Sequence, residues 1–218
     1  MPRCGVSHMQ GSPTQASQAV VYHHGDLPNA LLNAVAELVE ESGSADVSLR
    51  EVARRAGVSH SAPAHHFGDK EGMLAAFCDR GYEILRSEMQ EARDGSAAGD
   101  ALARTGAVGA AYVRFAVDHR AYFDVMFHSG IDKEAHEELH ACAESTFGIL
   151  MDVVADFIDE RGLDEVDMRI VAVYFWSLAH GLASLAVEGT MPHKLRDLSI
   201  DDYIAGVFSM SAQILGPP

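Results

Sequence analysis

The residues best suited to do chemistry are two histidines one helical turn apart, in the segment His136-Glu137-Glu138-Leu139-His140. The segment fits the pattern H-E-x-x-H, in which two histidines bind zinc and the first glutamate activates water for hydrolysis. A zinc hydrolase also needs a third metal ligand and a substrate cleft, and the sequence identifies neither. We interpret the segment as the exposed, acidic start of a helix. We therefore predict no catalytic residue, no metal site and no cofactor, and keep a metal-dependent hydrolase as an alternative.

Residues 48–67 have the spacing of two short helices joined by a tight turn. Ser48 and Glu51 can form a capping box, in which each side chain satisfies a free backbone donor at the start of the first helix. Gly57 supplies the left-handed backbone that the turn requires, and Ser59 is predicted to cap the second helix. This arrangement is a helix-turn-helix, whose second helix can enter the major groove of DNA.

The residues that would contact DNA can be predicted from their positions in this helix-turn-helix. Ser48 and Lys70 stand at the starts of helices and could hold backbone phosphates. Side chains at the start of the second helix could contact the edges of bases. For His66, packing against Phe67 is the alternative role. The predicted DNA-binding residues are Ser48, Ser59, His60, Ser61, Ala62, His65, His66 and Lys70.

The elements around this segment are all predicted to be helical. Apolar residues recur at helical spacing, and the alternating pattern of strands is missing. A first helix begins behind Asp26 and ends near Gly43, and a helix capped by Asp69 runs to about Arg93. With the two short helices and the later ones the count is about nine, so we predict an all-α fold. The later helices are predicted over residues 100–118, 120–128, 132–161, 164–189 and 200–215.

Charge and composition narrow the possible classes of protein. The 218 residues carry a formal net charge of −16, and most of the acidic excess follows residue 80. A generally basic, nucleic-acid-coating surface is thus excluded, but local DNA contact is not. Three cysteines far apart support no disulfide framework. Without a long apolar run or a signal-peptide pattern, we expect a cytoplasmic protein with no membrane segment.

The helix-turn-helix resembles that of the TetR/AcrR family of transcriptional regulators. Ala64 stands where most members carry a tyrosine, and His60 stands where arginine or lysine is common. Residues 176–182 in addition resemble the W-x-x-x-H-G signature of the WHG-type C-terminal domain. The positions that keep the helix-turn-helix pattern in register are Ala53, Ala56, Gly57, Val58, Ser59, His66, Phe67, Lys70, Glu71 and Leu74.

The resemblance implies three parts and a function. Residues 1–22 are rich in Ser, Gln, Gly and Pro and are predicted to be a disordered arm. Residues 23–80 would form the DNA-binding domain, and residues 81–218 a helical domain for ligand binding and dimerisation. The expected protein is not an enzyme but a repressor that a small-molecule effector releases from its operator. A helical interaction module that no longer binds DNA is the third alternative.

Two surfaces of the C-terminal part can be predicted from its apolar residues. The last two helices are expected to form the homodimer interface, as the resemblance implies, through Val166, Ile170, Val173, Ile204, Val207, Phe208, Ile214 and Leu215. Flexible and aromatic side chains suit an internal ligand pocket. The predicted pocket residues are Met89, Phe115, Tyr122, Phe123, Met126, Phe127, Met151, Phe175, Trp176 and His180.

Overall fold

A computed structural model describes residues 26–96, 100–163, 165–191 and 197–214, with the side chains of the last helix up to residue 211. These residues contain nine α-helices, one 3-10 turn and no strand, which confirms the predicted all-α class. The predicted N-terminal arm lies outside them. The helices are α1 Leu27–Ser42, α2 Leu49–Arg55, α3 Ala62–Phe67, α4 Lys70–Asp94, α5 Ala101–Asp118, α6 Arg120–His128, α7 Glu137–Arg161, α8 Met168–Val187 and α9 Ile200–Ile214, and the 3-10 turn is Lys133–Ala135.

The capping box predicted for α2 is present. The Glu51 amide donates to Ser48 Oγ at 3.3 Å, and the Ser48 amide donates to Glu51 Oε2 at 3.1 Å. Gly57 takes a positive φ of 68° between α2 and α3, so the turn uses the backbone conformation that glycine adopts without strain. Val52 and Ala53 are fully buried and hold α2 against the rest of the chain.

The second helix of the motif starts later than predicted. Ser59 does not cap it: α3 begins at Ala62, Ser61 precedes it without a side-chain cap, and the Ser59 carbonyl accepts only the turn bond from the Ala62 amide, at 3.0 Å. Pro63 explains the later start, because it lies within the first two helical positions and its ring is buried. Amides at those positions have no partner inside a helix, so proline removes no hydrogen bond there.

Two long helices also begin later than predicted. The helix expected from residue 132 starts as the 3-10 turn, and α7 follows from Glu137. The helix expected from residue 164 starts at Met168, where Asp167 Oδ1 accepts the Arg169 amide at 2.9 Å. In both cases a polar segment forms a turn before the helix, which periodicity alone does not reveal.

The core joins the N-terminal helices to the rest without a break. The helix α5 packs against α4, α7, α8 and α9, while α1 packs against α2, α4 and α6. The largest fully buried side chains are Phe77, Phe115, Phe123 and Phe157. The predicted domain boundary at residue 80 lies inside α4, which continues unbroken from Lys70 to Asp94. A single helix therefore runs from the helix-turn-helix into the C-terminal part.

The last helix packs on α5 through an aromatic ring. A Cβ on Gly109 would lie 2.3 Å from Phe208 Cζ, so α5 is thin where Phe208 rests on it. Ile204 and Phe208 are buried within the single chain, which corrects their prediction as interface residues. The side chain of Ile214 and all of Leu215 lie outside the described residues.

One helix, α8, is long and apolar enough to cross a membrane when only length and composition are considered. The core helices of soluble proteins pass the same test, and 39% of the apolar window of α8 is buried inside the fold. The exposed part contains Ile170 and Val173, which are 67% and 51% exposed. We therefore treat α8 as a packed helix with one uncovered apolar face.

Candidate DNA interface and ligand cavity

The residues predicted to contact DNA lie together around α3. Ser48, Ser59, His60, Ser61, His65 and His66 are exposed, while Ala62 and Lys70 are half-buried. The rings of His65 and His66 stand edge to face with centroids 5.7 Å apart. His66 lies 6.3 Å from the Phe67 ring and is exposed, so packing against Phe67 does not bury it. The exposed polar side chains of this surface therefore come from the turn before α3 and from His65 and His66, and none of them is a carboxylate.

Two of the predicted phosphate contacts are already engaged within the chain. Ser48 Oγ donates to Glu51 Oε2 at 2.6 Å, so its hydroxyl belongs to the helix cap. Lys70 Nζ forms an ion pair with Asp46 Oδ1, and this bond lowers the pKa of Asp46. A phosphate would therefore have to displace Asp46 to reach Lys70, or share it.

Arg55 has a structural role on the far side of α2. It donates to Glu37 Oε2 at 3.1 Å and to both carboxylate oxygens of Glu41, and so ties α2 to α1. The hydrogen bonds raise the pKa of Arg55 and lower that of Glu41. Arg54 next to it is exposed and has no ion-pair partner in the part of the chain that the structure describes. Sequence alone does not separate the roles of the two neighbours.

A cavity of about 480 Å³ lies between α4, α5, α7 and α8. Its volume is in the range of small-molecule sites. Much of its wall is apolar or aromatic and comes from Leu85, Met89, Val108, Tyr112, Phe127, Phe147, Leu150, Phe175, Trp176 and Ala179. Its polar wall comes from Tyr82, Thr105, Lys133, Glu134, His140, Glu144 and Thr146.

The structure brings four of the predicted pocket residues to this cavity: Met89, Phe127, Phe175 and Trp176. It places the others elsewhere. Phe115, Phe123 and Met126 are buried in the core, Tyr122 stacks on Phe77 at 4.2 Å, and Met151 is half-buried against the core. Helical periodicity shows that a side chain is apolar and faces inward, but not whether it lines a cavity or packs against other side chains. The side chains named here pack against other residues of the core.

His180 lies directly behind the cavity wall. Its Nδ1 is 2.8 Å from the hydroxyl of Tyr112, a wall residue. Its ring also lies 5.0 Å from that of Phe127 and 5.8 Å from that of Trp176. Burial lowers the pKa of His180 and raises that of Tyr112, so both groups are neutral near pH 7. His180 therefore orients wall residues rather than forming the wall.

Lys133 is one of the cavity residues that the sequence does not reveal. It lies in a polar segment and carries no periodic signal, yet the 3-10 turn brings its ammonium group over two rings. Nζ donates to the Tyr82 hydroxyl at 2.7 Å and lies 5.2 Å and 4.8 Å from the ring centroids of Tyr82 and Phe127. Among the described residues its hydrogen-bond partner is the Tyr82 hydroxyl, and no carboxylate forms an ion pair with it. Burial lowers the pKa of Lys133.

The H-E-x-x-H segment does not form the arrangement of a zinc hydrolase. His136 lies in extended backbone before α7, and its Nε2 is 3.6 Å from Glu71 Oε1 on α4. His140 lies one turn further along and lines the cavity instead. Among the residues that the structure describes, no three His, Cys, Asp or Glu side chains are grouped to hold a metal ion. The hydrolase alternative therefore has no structural support.

Comparison with known families gives two matches, one in each half of the chain. Residues 31–77 match the model described as "Bacterial regulatory proteins, tetR family". Residues 106–205 match the model described as "Tetracyclin repressor-like, C-terminal domain". The first match covers the helix-turn-helix, and the second covers most of the cavity wall and α8.

Curated relatives match over the N-terminal part. The HTH-type transcriptional regulator BetI of Stenotrophomonas maltophilia is 40% identical over 62 residues, which are 28% of this chain and 30% of the relative. BetI of Escherichia coli K12 is 44% identical over 46 residues, which are 21% of this chain and 24% of the relative. The chain thus spans less than a third of the length of these curated relatives.

Solved structures match over most of the chain. A protein of unknown function from Rhodococcus sp. RHA1 has a TM-score of 0.76 and 27% identity, with coverage of 91% of this chain and 100% of that one. The TetR family regulator PfmR of Thermus thermophilus has a TM-score of 0.64 and 17% identity, with coverage of 83% and 95%. AibR, solved with isovaleryl coenzyme A and operator DNA, has a TM-score of 0.66 and 16% identity, with coverage of 85% and 97%.

Proposed function

Because this chain belongs to the TetR family of bacterial regulatory proteins, we propose that it is a transcriptional repressor that binds operator DNA through α3 and is released by a small-molecule effector. The observation that carries the proposal is the continuity of α4. This helix starts at Lys70, next to α3, and continues to Met89 in the cavity wall. One rigid element thus belongs to both sites.

The exposed end of α3 supports sequence-specific binding. His60 and Ser61 lie in the turn before the helix, and His65 lies on it, all exposed. Imidazole and hydroxyl groups can bond to base edges in the major groove. Ala64, also exposed, has no group for a phosphate contact, so the backbone contacts must come from other residues such as Lys70. The interaction-module alternative, in contrast, predicts that this surface binds no DNA.

A second contact supports communication between the two sites. The 3-10 turn carries Lys133 in the cavity wall at one end, and His136 follows it directly, 3.6 Å from Glu71 on the first turn of α4. A ligand that favours a different position of this turn would shift α4 and with it α3. The effector releases DNA only if it binds the released arrangement more tightly than the bound one.

We further propose that two copies assemble through α8 and α9. Ile170 and Val173 leave an apolar strip on α8, the exposed Val166 lies just before that helix, and Met210 on α9 is 59% exposed. Apart from the adjacent backbone of α8, a Cβ added at Gly181 would meet none of the described residues within 4 Å, so a second copy could approach closely there. A two-fold dimer presents two copies of α3 to successive major grooves. In this proposal the protein acts in the cytoplasm and has no enzymatic activity.

Selection of DNA from a random duplex pool tests the proposal. The purified protein should enrich one near-palindrome with two half-sites whose centres are about one helical turn, or a small multiple of it, apart. Enrichment of unrelated sequences, or of single half-sites only, would contradict a dimeric, sequence-specific regulator. A variant in which His60 and His65 are replaced by alanine serves as the control and should enrich no such motif.

A further inference from the structure

The cavity has one charged end and one apolar end. At the charged end, Lys133 stands on the rings of Tyr82 and Phe127, half-buried, with the Tyr82 hydroxyl as its hydrogen-bond partner. Burying a cation without an anionic partner is costly, so such a group favours a ligand that supplies the negative charge. The Tyr82 hydroxyl accepts from Lys133 and keeps its own proton to donate to that ligand.

The remaining charges of the wall do not neutralise Lys133. Glu134 and Glu144 line the cavity but are exposed, so water screens their charge. Neither forms an ion pair with Lys133 in the described part of the chain. The interior position is therefore electropositive, although the chain as a whole carries a net charge of −16.

The apolar end extends away from Lys133 along α4. Tyr82, Leu85 and Met89 follow one another on the wall. Met89 lies seven positions after Tyr82, which corresponds to about 10 Å along the helix axis. An elongated apolar body could lie along this row while its polar end remains at Lys133.

From these features we infer that the effector is an amphiphilic carboxylate, with its carboxylate on Lys133 and Tyr82 and an elongated apolar chain along α4. This inference rests on the proposed function, because it names the ligand class of the same cavity. A carboxylate at this position satisfies the unpaired ammonium group, and the apolar chain replaces water along the wall.

The only tryptophan of the chain, Trp176, lines the cavity and reports its occupancy by fluorescence. We would titrate the full chain with decanoate, decanol and decyltrimethylammonium, each below its micelle-forming concentration. Decanoate should give a saturable change at a Kd about tenfold or more below that of decanol, because both can accept a hydrogen bond from Lys133 but only the carboxylate also forms an ion pair with it. Decyltrimethylammonium should bind more weakly than either.

Two variants assign the preference to Lys133. Lys133→Met should weaken decanoate binding about tenfold or more while the Kd of decanol changes less than about twofold, which also shows that the variant is folded. Lys133→Arg keeps the charge and should keep the preference for decanoate. Equal binding of decanoate and decanol to the wild type would overturn the inference, as would tighter binding of the cation or no saturable change with any probe.

The outcome is separable from that of the proposed function. Operator binding by the ligand-free wild type is measured on labelled duplexes and does not depend on any probe. If the protein binds an operator but shows no preference for decanoate, the inferred ligand class is wrong and the proposed function as a DNA-binding regulator is retained. If decanoate binds as expected but no operator is found, the inferred ligand class of the cavity is retained and the proposed function as a DNA-binding regulator is wrong.

Discussion

At the scale of residues, contacts within the chain determine which of the predicted DNA-binding side chains are available to bind DNA. Lys70 is the clearest cation near the start of α4, and Asp46 holds it in an ion pair. A surface pair of this kind contributes little to stability, so its main effect is on what else Lys70 can bind. Asp46 at this position would weaken the attraction of Lys70 to phosphates of any DNA. The discrimination between operator and non-specific DNA would then depend more on the base contacts of α3.

Asp46→Asn should therefore strengthen DNA binding. The substitution frees Lys70 for a phosphate, so affinity for any duplex should rise by less than about tenfold, with a steeper dependence on salt. Fluorescence anisotropy across a range of salt concentrations measures both. Asp118→Asn removes the same charge from an exposed position on α5. An equal gain in both variants would show that only the net charge matters.

His180 gives a prediction for the effect of pH on stability. Its pKa lies below the ordinary value of 6.5, first because of burial and then because of His128 and Lys133. The folded chain thus binds fewer protons than the unfolded chain near pH 6. The contribution of His180 to the free energy of unfolding is therefore fully present above pH 6.5 and is lost as the pH falls below that value.

Urea unfolding of the wild type and His180→Asn tests this sign. The asparagine amide can accept a hydrogen bond from the Tyr112 hydroxyl or donate one to it, but does not titrate. The free energy of unfolding of the wild type should fall more steeply than that of the variant between about pH 8 and pH 5.5. Parallel curves for the two proteins would contradict the role given to His180.

Residue types in the sequence predicted some of these roles and missed others. Ser48 and Glu51 form their capping box because the pattern acts over three residues of the same chain. Lys133, in contrast, becomes a cavity residue only through Tyr82, which is distant in sequence. Its polar neighbours predict a solvated segment, and no local pattern indicates the two aromatic rings beneath it.

At the scale of elements, the junction of α3 and α4 determines how the DNA surface is held. A Cβ on Gly72 would lie 2.2 Å from the carbonyl oxygen of Phe67, the last residue of α3. The first turn of α4 therefore packs directly on the end of α3 and fixes its direction. This contact is also where a shift of α4 would reach the DNA.

Gly72→Ala should weaken operator binding because backbone, unlike a flexible side chain, cannot yield locally. Either α3 or the start of α4 must move, and the paired geometry of the recognition helices is lost. Gly148→Ala is a matched control within α7, where the added carbon meets no atom of the described residues within 4 Å other than its chain neighbours and the adjacent helix backbone. It should stabilise the chain by about 0.5–1 kcal/mol and leave DNA binding unchanged.

Thermal unfolding and anisotropy together separate these effects. Unchanged operator affinity in a folded Gly72→Ala variant would show that α3 does not depend on this junction. The sequence predicted the helices on both sides, but not their contact. The sequence also placed the start of α3 too early, because Ser59 is a residue type that often caps helices. Pro63 favours a later start, and its ring is buried by tertiary packing, which a local pattern does not show.

At the scale of the whole molecule, the described residues of the single chain leave an apolar face of α8 uncovered. Ile170 and Val173 on α8 are mostly exposed, whereas Ile204 and Phe208 on α9 are buried against α5. The family resemblance and the apolar periodicity together predicted both pairs as interface residues, because a helix that packs within its own chain and one that packs on a partner have the same periodicity. Only the packing distinguishes them.

Val173→Glu should dissociate the dimer. A carboxylate in an apolar interface loses its hydration without gaining a partner, whereas the single chain tolerates it because the position is exposed. Light scattering after size exclusion should give the monomer mass, and operator affinity should fall. Val117→Glu changes an exposed valine on α5, outside the predicted interface helices, and should remain dimeric. A wild-type monomer, or a dimeric Val173→Glu variant, would contradict this interface.

The most direct test of the central claim is the affinity of α3 for a specific duplex. Labelled duplexes that tile the DNA upstream of its own and neighbouring genes would be titrated by fluorescence anisotropy, with non-specific competitor at about 0.1 M salt. The wild type should bind one duplex tightly, and replacement of both His60 and His65 by alanine should weaken that binding about tenfold or more, while His128→Ala should not. Competitor-resistant binding to no duplex, or equal affinity of the wild type and the double variant, would contradict the account.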